Sequence, residues 1–253
     1  YYQDDLLHRL VIPEKAHVLY HTRGKVRQKV ELEDTLVTRY TEEEFVDDMT
    51  GSRLEAYLKE GNLDSMRLEG MATTLYHLFE DSVYQGQNLA SGDTITLLFS
   101  PDSSDRQDLE VIHIVGGARG EYLPDESTED VDAPIVYRAD TIRYSIPDQQ
   151  TQLYHDAQID YKDTKLNSGF VNITWQDNLL RAFPAHHHKE TYSTDDMPTF
   201  REAGREPMVG EALIYNLSTG RGRVKQGRTK MEDGYYRGEE IQNQTKDTFF
   251  VSK

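Results

Sequence analysis

The sequence predicts an all-β protein, on three observations. Short runs alternate apolar and polar residues with a period of two, turn residues separate the runs, and a weak internal repeat links several of them. An antiparallel sheet with one buried face reads this way.

In chain order, Thr41–Asp48 (TEEEFVDD) is the first ambiguous element, because Glu44 stands three residues after Thr41 and a short helix start competes with strand. Ile95, Leu97 and Phe99 then alternate with Thr94 and Thr96. Ile142 and Tyr144 flank Arg143, while Ala157, Ile159 and Tyr161 alternate with Gln158 and Asp160. Val171, Ile173 and Trp175 alternate with Asn172 and Thr174. The repeat opens each time on a small residue: GSRLEAYL at 51, GDTITLLF at 92, ADTIRYSI at 139 and GEALIYNL at 210. Its uneven spacing excludes a regular propeller and suits similar rungs joined by loops of different length. Two excursions interrupt the sheet, the acidic loop Asp125–Asp132 and the stretch 184–207, which is rich in Pro, His and charge. The expected organisation is residues 1–50 as additional strands of the same fold and 51–253 as the main jellyroll.

A chain of 253 residues can bury a real core, and its 16 Tyr and 8 Phe are too many for a disordered one. The formal charge of -17 repels a phosphate backbone, so nucleic acid is excluded as a partner. The absence of cysteine rules out disulfides, thiolate metal sites and a cysteine nucleophile. The chain opens Tyr1-Tyr2-Gln3 and has no apolar run of membrane-helix length, so it is expected to be a processed or trimmed soluble piece.

Motifs for chemistry are missing. There is no Gly-x-Ser-x-Gly elbow, His-Glu-x-x-His helix or Walker loop, and Gly220-Arg221-Gly222 lacks the rest of a dinucleotide loop. His186-His187-His188 suggests a metal, but successive residues of an extended segment point to opposite faces, so a solvated loop is preferred. The expectation is no enzyme, no metal and no cofactor. Asn172, Asn216 and Asn243 open Asn-x-Ser/Thr tripeptides, which occur commonly by chance. Near the C-terminus, Gln226-Gly227 reads as a two-residue hairpin turn that sets Lys225 opposite Arg228 and Arg223 opposite Lys230. Arg221 then joins a stripe of five cations, with Glu232 its only acid. Such a stripe fits a solvated face, or a contact with lipid phosphates or an acidic partner.

Two stretches carry a family resemblance, LDSMRLEGMATTLYHLFEDSVYQGQNLASGDTITLLF from Leu63 and GEALIYNLSTGRGRVKQGRTKMEDGYYRGEEI from Gly210. Both resemble OstA-like lipopolysaccharide-transport sequences. The second is similar to the stretch before the barrel in LptD-type lipopolysaccharide-assembly proteins, notably of Bacteroidetes. The likeness covers roughly residues 50–253, and residues 1–50 match less clearly. It implies an OstA-like β-jellyroll of stacked, V-shaped antiparallel strands that encloses an apolar groove for acyl chains. It further implies a periplasmic place at the outer membrane, lipopolysaccharide as cargo, edge-strand pairing with a periplasmic bridge protein of the same family, and an outer-membrane barrel that this sequence does not contain.

A lipid path needs a lining that acyl chains slide along without hydrogen bonds to break at each step. The candidates are the apolar positions of the alternating strands: Ile95, Leu97, Phe99, Ile142, Tyr144, Ile159, Tyr161, Ile173, Trp175, Leu213 and Tyr215. The same positions suit the core of a closed sandwich. Arg221, Arg223, Lys225, Arg228 and Lys230 are the candidates for head-group or partner contact. The rival reading is a carbohydrate-binding jellyroll, and more remotely a β-rich polysaccharide hydrolase or lyase. Trp175 and Tyr161 on an exposed flat surface would favour sugar, and in a trough would oppose it.

Overall fold

The structure, a computed structural model, describes residues 2–3, 6–32, 35–100, 109–128, 131–185, 196–231, 234–245 and 248–252. A short hairpin, β1 (Tyr2–Gln3) with β2 (Leu6–Leu7), precedes the main fold. Then come β3 (Arg9–Ile12), β4 (Ala16–Leu32), β5 (Thr35–Gly51), β6 (Arg53–Lys59), β7 (Asn62–Glu80), β8 (Val83–Phe99) and β9 (Leu109–Pro124). They are followed by β10 (Ile135–Ser145), β11 (Gln150–Tyr161), β12 (Thr164–Thr174), β13 (Leu179–Phe183), β14 (Thr199–Glu202), β15 (Met208–Val209) and β16 (Ala212–Asn216). The last are β17 (Arg221–Met231), β18 (Gly234–Thr245) and β19 (Thr248–Ser252). The predicted all-β class is observed, and the segment Thr41–Asp48 is strand, inside β5.

The long strands run through two sheets that meet at a corner. In the first sheet β3 pairs β6, which pairs one half of β7, and the order continues through halves of β8 to β12 to β13, β16, β17, β18 and β19. In the second, β4 pairs β5, which pairs the other half of β7, and the order runs through β8 to β12 to β14, β15, β17 and β18. The strand network closes on itself through the branches that this sharing creates, β5–β7 and β4–β8 at one end and β12–β14, β13–β16 and β15–β17 at the other. Among the described residues no register pair joins β19 to β3.

Extra residues make the corner. The register shifts between Glu69 and Ala72, between Val115 and Ala118, and between Tyr154 and Ala157, one bulge in each alternate strand. Both residues of each bulge take a left-handed backbone: Gly70 and Met71, Gly116 and Gly117, His155 and Asp156. A bulge bends its strand and raises its twist, so aligned bulges fold the whole stack along one line. All four repeat openings lie on that line. Gly92 and Ala139 cross it within β8 and β10, Gly51 ends β5 before β6, and Gly210 separates β15 from β16. The repeat is therefore the signature of a strand turning the corner, and its spacing is uneven because the chain makes journeys of different length between crossings.

Gln226, also left-handed, sits at the same corner inside the continuous strand β17. It does not begin a hairpin, which corrects the turn inferred at Gln226-Gly227. Lys225 faces Glu240 and Arg228 faces Arg237, both on β18. Between the sheets lies the core: Leu54, Leu68, Ile95, Leu97, Ile112, Ile135, Leu153 and Val171 are essentially fully buried. Residues before position 51 contribute strands to both sheets, through β3 to β6 and β5 to β7. Part of the excursion near 184–207 forms β14, which covers one half of β12.

Candidate functional site

Opposite the corner the free ends of the two sheets part, and a cleft of about 720 Å3 lies between them. That volume falls in the range of ligand pockets, about 300–1,000 Å3. From the first sheet come Leu63 and Met66 of β7, Phe99 at the end of β8, Leu109 at the start of β9, Ile146 after β10 and Trp175 after β12. From the second come Met49 of β5, Leu78 and Phe79 of β7 and Tyr122 of β9. The lining is made at strand ends because there the sheets diverge by more than a side chain can fill.

The strand β4 lies over the cleft and contributes Val18, Tyr20 and Thr22. Still paired with β5 along its whole length, it crosses the turn between β7 and β8, where Lys25 N–H donates to Ser82 O at 2.7 Å. Gly24 permits this crossing: a Cβ there would overlap the ring of Phe79. Further along, the Arg27 guanidinium donates to Ser127 O at 3.4 Å. These two backbone-directed bonds and one ring contact add to the β4–β5 ladder in holding a strap whose outer residues are exposed.

Polar residues, Glu80 and Glu110 among them, share the lining with the apolar ones, and two of them are tied to each other. Asp47 Oδ1 accepts from the backbone N–H of His77 at 2.9 Å and lies 2.8 Å from its Nδ1. Burial raises the Asp47 carboxyl above its ordinary range, and the His77 hydrogen bonds offset only part of that. Phe45, Phe79 and Tyr84 pack around the pair, with Phe45 5.0 Å from the His77 ring. On the floor, Asn88 donates to the hydroxyls of Tyr76 and Tyr137. Burial pushes the Tyr137 phenol up to about 12 and raises Tyr76 well above its usual value. These phenols are neutral across the physiological range.

Of the predicted lining residues, Phe99, Tyr144 and Trp175 stand on the cleft. Ile95, Leu97, Ile142, Ile159, Ile173 and Leu213 lie deeper, between the sheets, at 3% exposure or less. Tyr161 and Tyr215 are buried at another part of the stack, against Leu166, Leu180 and Phe200, where the remaining void is only about 10 Å3. The flat sugar platform is not formed by the two residues expected to make it, since Tyr161 is buried and the Trp175 indole N–H, at the cleft, donates to Thr151 Oγ1 at 2.8 Å. Sequence reasoning missed Val18, Met49, Leu63, Met66 and Phe79; the usable signal was apolar residues placed next to turns rather than in mid-strand.

Arg221, Arg223, Lys225, Arg228 and Lys230 are all exposed on the outer face of β17. No residue of β17 touches the cleft, so their position separates them from any ligand held there. Glu232 and the histidines 186–188 lie outside the described residues. Among the described residues no three His, Asp or Glu side chains cluster as metal ligands.

No family model matches the sequence, and no curated protein matches it. Among solved structures, the chain is similar to LptH of Pseudomonas aeruginosa, the LptA-homologous periplasmic component of the conserved lipopolysaccharide transport device. That likeness has a TM-score of 0.43 and 17% identity, and covers 58% of this chain and 88% of the other.

Proposed function

We propose that the protein is a passive, OstA-like lipid carrier of the periplasm that takes lipopolysaccharide acyl chains into the cleft at the mouth of its jellyroll and passes them toward the outer membrane. The observation that carries this reading is the cleft, open between two sheet ends and lined by Leu63, Met66, Phe79, Phe99, Leu109 and Trp175, with Asp47 and His77 paired to each other at its side. Acyl chains need contact without direction, and each lining CH2 removed from water contributes about 0.8 kcal/mol. Methionine suits a cargo of variable chain length, because it repacks at low cost. The sequence resemblance to the OstA-like family, carried by the stretches from Leu63 and Gly210, supports the same reading. The strap β4 then gates the cleft, and edge strands at the ends of the stack would extend the path into a neighbouring jellyroll.

Photocrosslinking tests it in cells that make lipopolysaccharide. A light-activated residue at Phe99, Met66 or Trp175 is expected to yield lipopolysaccharide adducts, and one at Arg143 or Asp160 none. Adducts of equal yield at all five positions, or at none, would overturn the proposal.

A further inference from the structure

The outer face of the second sheet, beside the corner, carries an acid-free row. Residues in direct cross-strand register run from Arg119 on β9 to Arg138 on β10 and Gln158 on β11, then over three uncharged residues to Arg228 on β17 and Arg237 on β18. In a chain of net charge -17 a transverse row of eight strands with four arginines and no acid is unexpected. At its β18 end the row thickens. Arg228 and Arg237 are directly opposite, Lys165 faces Arg201, and Lys230 faces Tyr235, whose ring is 86% exposed. Among these cations Lys165 meets Asp160 at 3.1 Å, while Arg201, Arg228, Lys230 and Arg237 show no ion pair among the described residues. The acids of β18, Glu239 and Glu240, lie at and beyond the corner, and Glu240 faces Lys225 instead.

Like charges directly across a sheet destabilise it. A surface that keeps such a pair, without an ion pair among the described residues and next to an exposed tyrosine, has the composition of an interfacial contact with anionic lipid, in which arginine binds phosphate bidentately and the tyrosine ring sits at head-group depth. The other end of the row does not share that contact. Arg119 and Arg138 lie at least five strands away, and a twist of roughly 20–25° per strand turns them about 100° or more from Arg228. Net charge elsewhere is screened beyond about 10 Å.

We propose that the outer face of β14, β17 and β18 docks on an anionic, phosphate-bearing membrane surface through Arg201, Arg228, Lys230 and Arg237, with Tyr235 at the head groups. The inference stands apart from what the cleft carries. Co-sedimentation of the full chain with phosphatidylcholine–phosphatidylglycerol vesicles is expected to exceed that with pure phosphatidylcholine and to fall with salt. R228E/R237E should lower the affinity more than tenfold, and Y235A about threefold, given about fivefold per cation at an anionic surface. R119E/R138E, which changes net charge equally, and F99A, which alters the cleft, should stay within twofold. Equal losses in both double variants, a loss in F99A, or no preference for anionic vesicles would overturn the proposal. Arg237→Glu removes a like-charge repulsion and should melt at or above the wild type. A lower melting temperature with lost binding would assign the pair to the fold instead.

Discussion

At the corner and at the mouth, the same strands do opposite things. Along the corner the chain uses left-handed bulges on the outside and, directly beside them on the inside, fully buried alanines: Ala72, Ala118 and Ala157 are all at 0% exposure. At the mouth, about six residues further along β8, it uses Phe, Trp and Leu that stay partly exposed around open space. Close approach of two backbones at a bend leaves room only for small side chains. Divergence at the far ends leaves more room than large ones fill. The difference teaches that the cleft follows from the fold angle of the stack, and that its width is set by the bulges at the opposite side.

The largest expected effect is on the packed part. Leu97→Ala should cost about 3 kcal/mol, within the 2–5 seen for buried leucines, and lower the melting temperature by roughly 6–12 °C. Phe99→Ala, two residues on along the same strand and at the cleft, should cost about 1 kcal/mol while abolishing most lipid crosslinking. Equal stability losses at the two positions would break the comparison.

Next in size is the corner itself. Gly117 has φ +58 and open space beyond it, so Gly117→Val tests the left-handed backbone alone and should cost about 1–2 kcal/mol in denaturant unfolding. An unchanged midpoint would mean that the bulge relaxes. On the strap, Gly24→Leu forces β4 away from Phe79. Hydrogen exchange at the Lys25 amide should accelerate at least tenfold, with protection in β8 and β10 unaltered.

The smallest effect sharpens the polar side of the mouth. Burial raises the Asp47 carboxyl in the folded state, so the folded protein holds that proton more tightly than the unfolded chain. Its contribution is fully present below the unfolded value, about 4, and is lost as pH rises through the raised one. The stability of wild type relative to Asp47→Asn should therefore decline upward from about pH 4 and then level off. A flat difference would show the carboxyl to be unshifted.

Much of this was legible in the sequence. Alternation placed Ile95, Leu97, Ile142, Ile159 and Ile173 inside, because a two-residue period leaves a strand no choice of face once one side is buried. The four small-residue openings were visible as a repeat before their meaning was, since a corner is a property of several strands aligned and no single one displays it. The helix signal in Thr41–Asp48 lost to pairing with β4 along the whole of β5. Gln226-Gly227 has the chemistry of a turn, and a left-handed residue serves a mid-strand bulge equally well.

By itself the sequence determined the strands, their buried faces and the charge of the chain, because each depends on neighbours within a few residues. Only the tertiary structure decided which apolar residues border empty space. Phe99 and Leu97 obey the same alternation, and what separates them is the distance between two sheets, fixed by bulges on the neighbouring strands β7, β9 and β11. The same holds for the outer row, where Arg119 and Arg237 become members of one register line through seven successive pairings.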